Sequence, residues 1–143
     1  HWHTEYHFHP KRLNFVNIWF PMFREKRKGA GTMVLAEGTH KQHWDFVEYS
    51  GYDIKELGKK HMYTQYESVI KQPLKEKVIE LDRMDMVIFH GNLLHKSTVN
   101  TSDNITYATS IRVFDTSKDP TLSSDMMVKP YKGLDVGYPE LIL

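Results

Sequence analysis

The chain has 143 residues, of which 40% are hydrophobic and 26% charged, and its formal net charge is +1. This composition is typical of one globular domain, and the small net charge argues against a nucleic-acid or membrane surface as a partner. The absence of cysteine excludes disulfides and thiolate metal sites and permits a reducing compartment, so we expect a cytoplasmic protein.

The first three predicted strands lie before residue 40 and are indicated by alternation or by β-branched and aromatic residues. Residues 1–9, HWHTEYHFH, alternate in a way that predicts a strand, and their odd positions would place His1, His3, Glu5, His7 and His9 on one face. A second strand is predicted over residues 14–20, ending at Pro21, and a third over residues 32–37, ending at Gly38.

The rest of the chain divides into an irregular excursion, four further strands and a tail. Residues 40–72 have poor periodicity, with a short helix predicted at 54–57, and we expect this excursion to carry substrate specificity. Strands are predicted at 77–81, 86–90, 95–100 and 105–114, and a proline-containing tail from Asp115 is expected to wrap around the domain. This order predicts an all-β domain, and the pattern fits a sandwich and a jelly roll equally.

Two imidazoles and one carboxylate suggest a metal site. His3 and Glu5 would share a strand face, and His95 would have to come from a neighbouring strand. Two histidines and one carboxylate form the ligand set of a non-haem Fe(II) site with open positions. Two alternatives stay open: these side chains are ordinary surface residues of a strand, or a Zn²⁺ or Cu²⁺ site uses the neighbouring histidines His1, His7 and His9.

Several segments together carry a family resemblance. WHTEYHFHP, NIWF, GTMVLAEGTHK and LDRMDMVIFHGNLLHKSTVN occur in an order and spacing that resemble the phytanoyl-CoA dioxygenase-like family of Fe(II)- and 2-oxoglutarate-dependent oxygenases. The resemblance implies a double-stranded β-helix, which is a jelly-roll or cupin-like barrel with iron at its mouth. We therefore expect residues 1–143 to form a single oxygenase-like domain, as a C-terminal fragment of a longer chain.

The resemblance also implies roles for individual residues. His3, Glu5 and His95 match the iron ligands, and Trp19 matches an aromatic residue that lines the cosubstrate pocket. The hydroxyl of Ser97 is expected near 2-oxoglutarate. Histidines close to the metal, in a supporting or substrate-contacting position, are matched by His7 and His90.

Two departures from the family pattern concern the ligand set and the barrel edge. Glu5 stands where the family usually has Asp, although a longer carboxylate can also ligate iron. The strand that normally precedes the His-x-Asp strand, and the flanking helices, are missing from this sequence. The barrel is therefore expected to have an open sheet edge that a missing segment covers or that supports self-association.

The third departure concerns the arginine that binds 2-oxoglutarate in the family. Thr106 stands at that position, eleven residues after His95. Arg112 lies six residues further along the same strand, roughly 20 Å away, and is either a cosubstrate contact or an ion-paired strand residue. The alternatives for holding the cosubstrate are another cation or the hydroxyls of Thr106 and Ser97, the candidate cations being Arg12, Lys41 and the lysines of the excursion. A protein that does not use 2-oxoglutarate is the remaining alternative.

The function implied by the resemblance is hydroxylation of a small organic substrate. Such an enzyme uses Fe(II) and 2-oxoglutarate, with ascorbate as a candidate reductant, and releases succinate and CO₂. Two other functions compete with it: a barrel of the same lineage that binds metal or ligand without turnover, and a cupin-like Zn²⁺-binding protein. The expected partner in each case is a small molecule, with neither nucleic acid nor membrane.

Overall fold

The structure is a computed structural model that describes residues 1–7, 15–50 and 64–115. Its two helical segments are 3₁₀ turns, at Glu5–His7 and Thr39–Lys41. The strands are β1 (Phe15–Met22), β2 (Met33–Ala36), β3 (Phe46–Ser50), β4 (Thr64–Ser68), β5 (Glu76–Ile79), β6 (Val87–His90), β7 (His95–Ser97) and β8 (Tyr107–Phe114). The predicted all-β fold class is confirmed.

The strands form three antiparallel sheets in the order β6-β1-β8, β5-β2-β7 and β3-β4. β1 belongs to the first sheet and β2 to the second, and from β5 to β8 successive strands alternate between the second sheet and the first. This alternation is the topology of the double-stranded β-helix. It brings residues that are distant in sequence onto neighbouring strands.

The main core lies between the two three-stranded sheets. Its buried members are Met33, Leu35, Ile79, Leu81, Phe89 and Leu93, with Trp19 and Val87 packed against them. A second cluster joins Ala36, Trp44 and Leu94 on the other face of β2. All four residues of β2 are buried, which explains why this strand has a continuous apolar sequence rather than an alternating one.

The strand predicted over residues 1–9 is wrong for the part that the structure describes. His3 forms only an isolated antiparallel bridge with His95, and Glu5–His7 is a 3₁₀ turn. The backbone N–H of Glu5 donates to the carbonyl of Gly91 at 2.9 Å, so a contact with a distant loop replaces a strand ladder. Residues 8 and 9 lie outside the described residues.

Two further boundaries differ from the prediction. β1 continues through Pro21, because beyond Trp19 it pairs only with β8, and a strand with one free side tolerates the missing N–H of proline. The excursion at 40–72 contains an antiparallel pair, β3 and β4, which the sequence pattern did not predict. The predicted helix at 54–57 and the tail at 116–143 lie outside the described residues.

Some expectations about surroundings stay predictions. No helix among residues 1–7, 15–50 and 64–115 has the length and apolar character needed to cross a lipid bilayer. The cytoplasmic location, the self-association at an open sheet edge and the extent of the domain over residues 1–143 are not tested by the fold.

Candidate metal centre

The backbone pairs His3 directly with His95. Each residue's N–H donates to the other's carbonyl at 3.0 Å, which is the hydrogen-bonded pair of an antiparallel bridge. Directly opposed residues project their side chains to the same face, and the two imidazole rings lie 4.2 Å apart between centroids. The bridge therefore places two imidazoles together that are far apart in sequence.

Both imidazole rings are oriented by a backbone carbonyl. Nδ1 of His95 donates to the carbonyl of Leu93 at 2.9 Å, and Nδ1 of His3 donates to the carbonyl of His1 at 3.1 Å. Because a carbonyl only accepts, these bonds put the proton of each neutral ring on Nδ1 and leave the lone pair on Nε2. A metal-binding histidine is held in the same way, by a hydrogen bond from its other nitrogen.

Glu5 completes the group from the 3₁₀ turn. Its carboxylate is buried, with Oε1 at 3.6 Å from Nε2 of His95. Oε2 accepts two hydrogen bonds from the guanidinium of Arg112, of which the bond from Nε is 2.8 Å long. Arg112 therefore fixes one oxygen and leaves the other directed toward the imidazoles.

The surroundings set the protonation states of the group. Burial, and next the charge of His95, lower the pKa of His3 from 6.5 to about 3. Burial by itself would raise the pKa of Glu5, but the adjacent His95 and the charge of Arg112 outweigh it and lower that pKa to about 2. At neutral pH the site therefore presents a carboxylate and a neutral imidazole of His3, the forms that bind a cation.

The distances suit a single divalent ion. One ligand atom each from His3, Glu5 and His95 can be chosen so that all lie within 4.8 Å of one another. Two ligands at right angles on a small divalent ion lie about 3 Å apart, so small side-chain rotations would close the site. Within the described ranges this is the one group of three or more such residues with that geometry.

A row of paired residues passes beside the metal ligands. Asn17 on β1 lies directly opposite Phe89 on β6 and Arg112 on β8, so these three side chains share one face of the sheet. The Phe89 ring packs 5.0 Å from that of His95, and Arg112 holds Glu5. The face that includes Asn17 is therefore the one that faces the site.

Asn17 is a residue that sequence reasoning missed. Its side chain is completely buried, and neither its amide nitrogen nor its amide oxygen has a hydrogen-bond partner in the described part of the chain. A buried amide without partners is costly and usually indicates an absent ligand or water. The signal was present in the sequence, because Asn17 interrupts an otherwise apolar strand face with Phe15 and Trp19.

The four residues predicted to contact the cosubstrate differ in their burial and in their hydrogen-bond partners. Trp19 is half-buried against the main core, and Ser97 is exposed at the end of β7. The hydroxyl of Thr106 donates to the carbonyl of Ala30 at 2.8 Å and accepts from Lys26 at 2.8 Å. Arg112 is ion-paired with Glu5, so the structure places it at the metal ligands, away from Thr106.

The two other predicted histidines make contacts outside the group of three candidate ligands. The ring of His7 packs 4.5 Å from that of Phe46, and burial lowers its pKa. Nδ1 of His90 accepts from the backbone of Asn92 at 3.1 Å, and its ring lies 5.5 Å from that of Tyr6. Burial, followed by the charge of His40, lowers the pKa of His90. Their supporting or substrate-contacting roles stay predictions.

The alternative site of neighbouring histidines receives no support from the described residues. Nδ1 of His1 lies 3.2 Å from the carboxylate of Glu67, and His7 faces the aromatic rings of Phe46 and Tyr66. These side chains point to different partners because the 3₁₀ turn breaks the regular alternation. His9 lies outside the described residues.

Comparison with known proteins identifies the family. No curated protein matches the chain significantly. A family model described as phytanoyl-CoA dioxygenase (PhyH) matches residues 1–106, which include all three candidate ligands and the strands that hold them. The chain therefore belongs to the phytanoyl-CoA dioxygenase (PhyH) family, a family of oxygenase enzymes with a jelly-roll fold.

Proposed function

We propose that this protein is an Fe(II)- and 2-oxoglutarate-dependent dioxygenase that hydroxylates a small organic substrate. The observation that carries the proposal is the grouping of His3, His95 and Glu5, which each offer one ligand atom within 4.8 Å of the other two. Three protein ligands would leave further positions of a bound Fe(II) ion for cosubstrate and oxygen.

Residues of the site would hold the metal ion, orient its ligands and limit the access of water. His3, Glu5 and His95 would hold Fe(II), and Arg112 orients Glu5 so that a single oxygen is presented. Phe89 packs against His95 and limits the access of water, while Asn17 offers a buried amide to a bound ligand. When bound, Fe(II) and 2-oxoglutarate supply oxidative decarboxylation coupled to hydroxylation, with release of succinate and CO₂.

The experiment is a two-step assay. Metal-free protein is mixed with Fe(II), ascorbate and 2-oxoglutarate without oxygen, and a weak charge-transfer band in the visible spectrum is expected. His95→Ala should abolish Fe(II) binding and the band, whereas His43→Ala, at an exposed histidine, should keep both. Admission of air to the wild-type mixture should then yield succinate. Unchanged iron binding by His95→Ala would contradict the ligand assignment.

Two features favour a second function. Two histidines and a glutamate are also the ligand set of catalytic zinc sites, and Thr106 stands where the family has its 2-oxoglutarate-binding arginine. A cupin-like Zn²⁺ protein, or a barrel that binds metal or ligand without turnover, would meet both conditions. Tight Zn²⁺ binding by calorimetry, with neither visible band nor succinate, would favour this alternative.

A further inference from the structure

Lys26 is a buried lysine that none of the roles described above uses. It lies between β1 and β2, where its backbone forms an isolated bridge with Leu81, and only 3% of its surface is exposed. Its ammonium group donates to the hydroxyl of Thr106 at 2.8 Å and to the carbonyl of Gly31 at 3.3 Å. An ammonium has three donors, so one N–H of Lys26 remains without a partner among the described residues.

The positive charge of Lys26 lacks an acidic partner among residues 1–7, 15–50 and 64–115. Both groups that accept from it are neutral, and burial lowers its pKa. Burial of an ion without a counter-ion is costly, so a buried lysine of this kind indicates either a functional anion or a strained site. An anionic ligand at Lys26 would remove this cost.

The position of Lys26 shows which anion would fit. Its ammonium contacts Thr106, the residue that stands where the family has its cosubstrate-binding arginine. It also lies 5.9 Å from the centre of the Trp19 ring. Trp19 is two residues along β1 from Asn17, so the two side chains share the face of the sheet that faces the candidate ligands.

The other candidates that the structure describes are occupied or displaced, whereas Arg12 and the lysines within 51–63 lie outside the described residues. Arg112 is held by Glu5 beside the metal ligands, and the hydroxyl proton of Thr106 is donated to Ala30. Ser97 is exposed, and Lys41 lies on the exposed side of the second 3₁₀ turn. Thr106 and Gly31 orient Lys26, and neither supplies a charge.

We propose that the ammonium of Lys26, oriented by the hydroxyl of Thr106, binds the distal carboxylate of 2-oxoglutarate in place of the missing arginine. This inference rests on the proposed function, because it assigns one end of a cosubstrate whose other end would lie at His3, Glu5 and His95. Lys26, from the connection between β1 and β2, would then supply the positive charge that the family's arginine supplies from the position of Thr106.

The test measures binding rather than turnover. Protein loaded with Mn²⁺ is titrated by calorimetry with 2-oxoglutarate and with 2-oxopentanoate, which has the same length but ends in a methyl group. The wild type should prefer 2-oxoglutarate by roughly 10- to 150-fold, the range that one charge-assisted hydrogen bond provides. Lys26→Met, which keeps the apolar stem, should bind both acids equally weakly, and Lys26→Arg should keep part of the preference.

A control variant and the wild-type preference distinguish failure of this inference from failure of the proposed function. Lys28→Met, at an exposed lysine two residues away, should leave the preference unchanged. If Lys26→Met keeps the preference, the inference is overturned while the dioxygenase proposal stands. If Mn²⁺ binds but neither acid does, the 2-oxoglutarate part of the proposed function fails and this inference fails with it. Equal binding of both acids by the wild type overturns the inference even where Lys26→Met does not fold.

Discussion

The ion pair between Arg112 and Glu5 gives a sharp test of the site's energetics. Arg112→Met removes the cation and leaves the Glu5 carboxylate buried, its side chain 9% exposed. Breaking a fully buried ion pair costs about 3–5 kcal/mol, whereas exposed pairs contribute little. Because the Arg112 side chain is 36% exposed, we expect an intermediate loss of about 2 kcal/mol in the metal-free protein.

Urea denaturation with a chelator present measures this loss. For a protein of this size, about 2 kcal/mol corresponds to a shift of about 1 M in the unfolding midpoint. The control is Arg27→Met, which breaks the exposed pair between Arg27 and Asp82 and should move the midpoint little. Added Mn²⁺ should raise the midpoint more in Arg112→Met than in the wild type, because the metal then supplies the cation that Glu5 has lost. Equal midpoints for the two arginine variants would refute the reasoning.

Three further predictions concern the residues around the centre. The pKa of His3 is lowered from 6.5 to about 3, so the unfolded chain binds a proton that the folded protein excludes. The free energy of unfolding of the metal-free protein should therefore fall as the pH drops from 6.5 to about 3. Urea titrations at several pH values should show a smaller fall in His3→Gln and the same fall as the wild type in the control His43→Gln. Gly91→Ala should cost about 1–3 kcal/mol, because its Cβ would overlap the ring of Phe15, and a thermal melt of Gly91→Ala with Phe15→Leu should recover part of this loss. Asn17→Leu should stabilise the metal-free protein, because it removes a buried amide that has no hydrogen-bond partner among the described residues. Calorimetry should show weaker 2-oxoglutarate binding by the same variant. A destabilised variant would mean that the amide is hydrogen-bonded in the folded protein.

Strands with a strong local pattern could be predicted from the sequence. β1, β2 and β8 have β-branched and aromatic residues over a sufficient length, and their positions agree with the prediction to within a few residues. The 3₁₀ turn at Glu5 could not be predicted, because the bond that holds it goes to Gly91, far along the chain. β3 and β4 were missed for a related reason: each is ordered by the other strand rather than by its own alternation.

Part of the candidate site could be predicted from the sequence, and the rest depends on tertiary contacts. The three candidate metal ligands were expected from their type and from the resemblance, and the structure brings them together although it replaces the expected strand with a turn. Lys26 gave no signal, because it occurs within the charged run REKRK and resembles a solvated lysine. Its burial follows from the bridge to Leu81 and from the approach of Thr106, and both contacts depend on tertiary pairing.

The bridge between His3 and His95 has a consequence for the lifetime of the folded protein. An ion shared by these residues closes a loop of about ninety residues, much as a covalent staple would. For a permanent link of that span, the chain-entropy estimate is about 4–5 kcal/mol, and a metal supplies a reversible version of it. If the site binds iron as proposed, iron supply should govern how long the molecule survives proteolysis, and loss of the metal should shorten the lifetime of the protein itself.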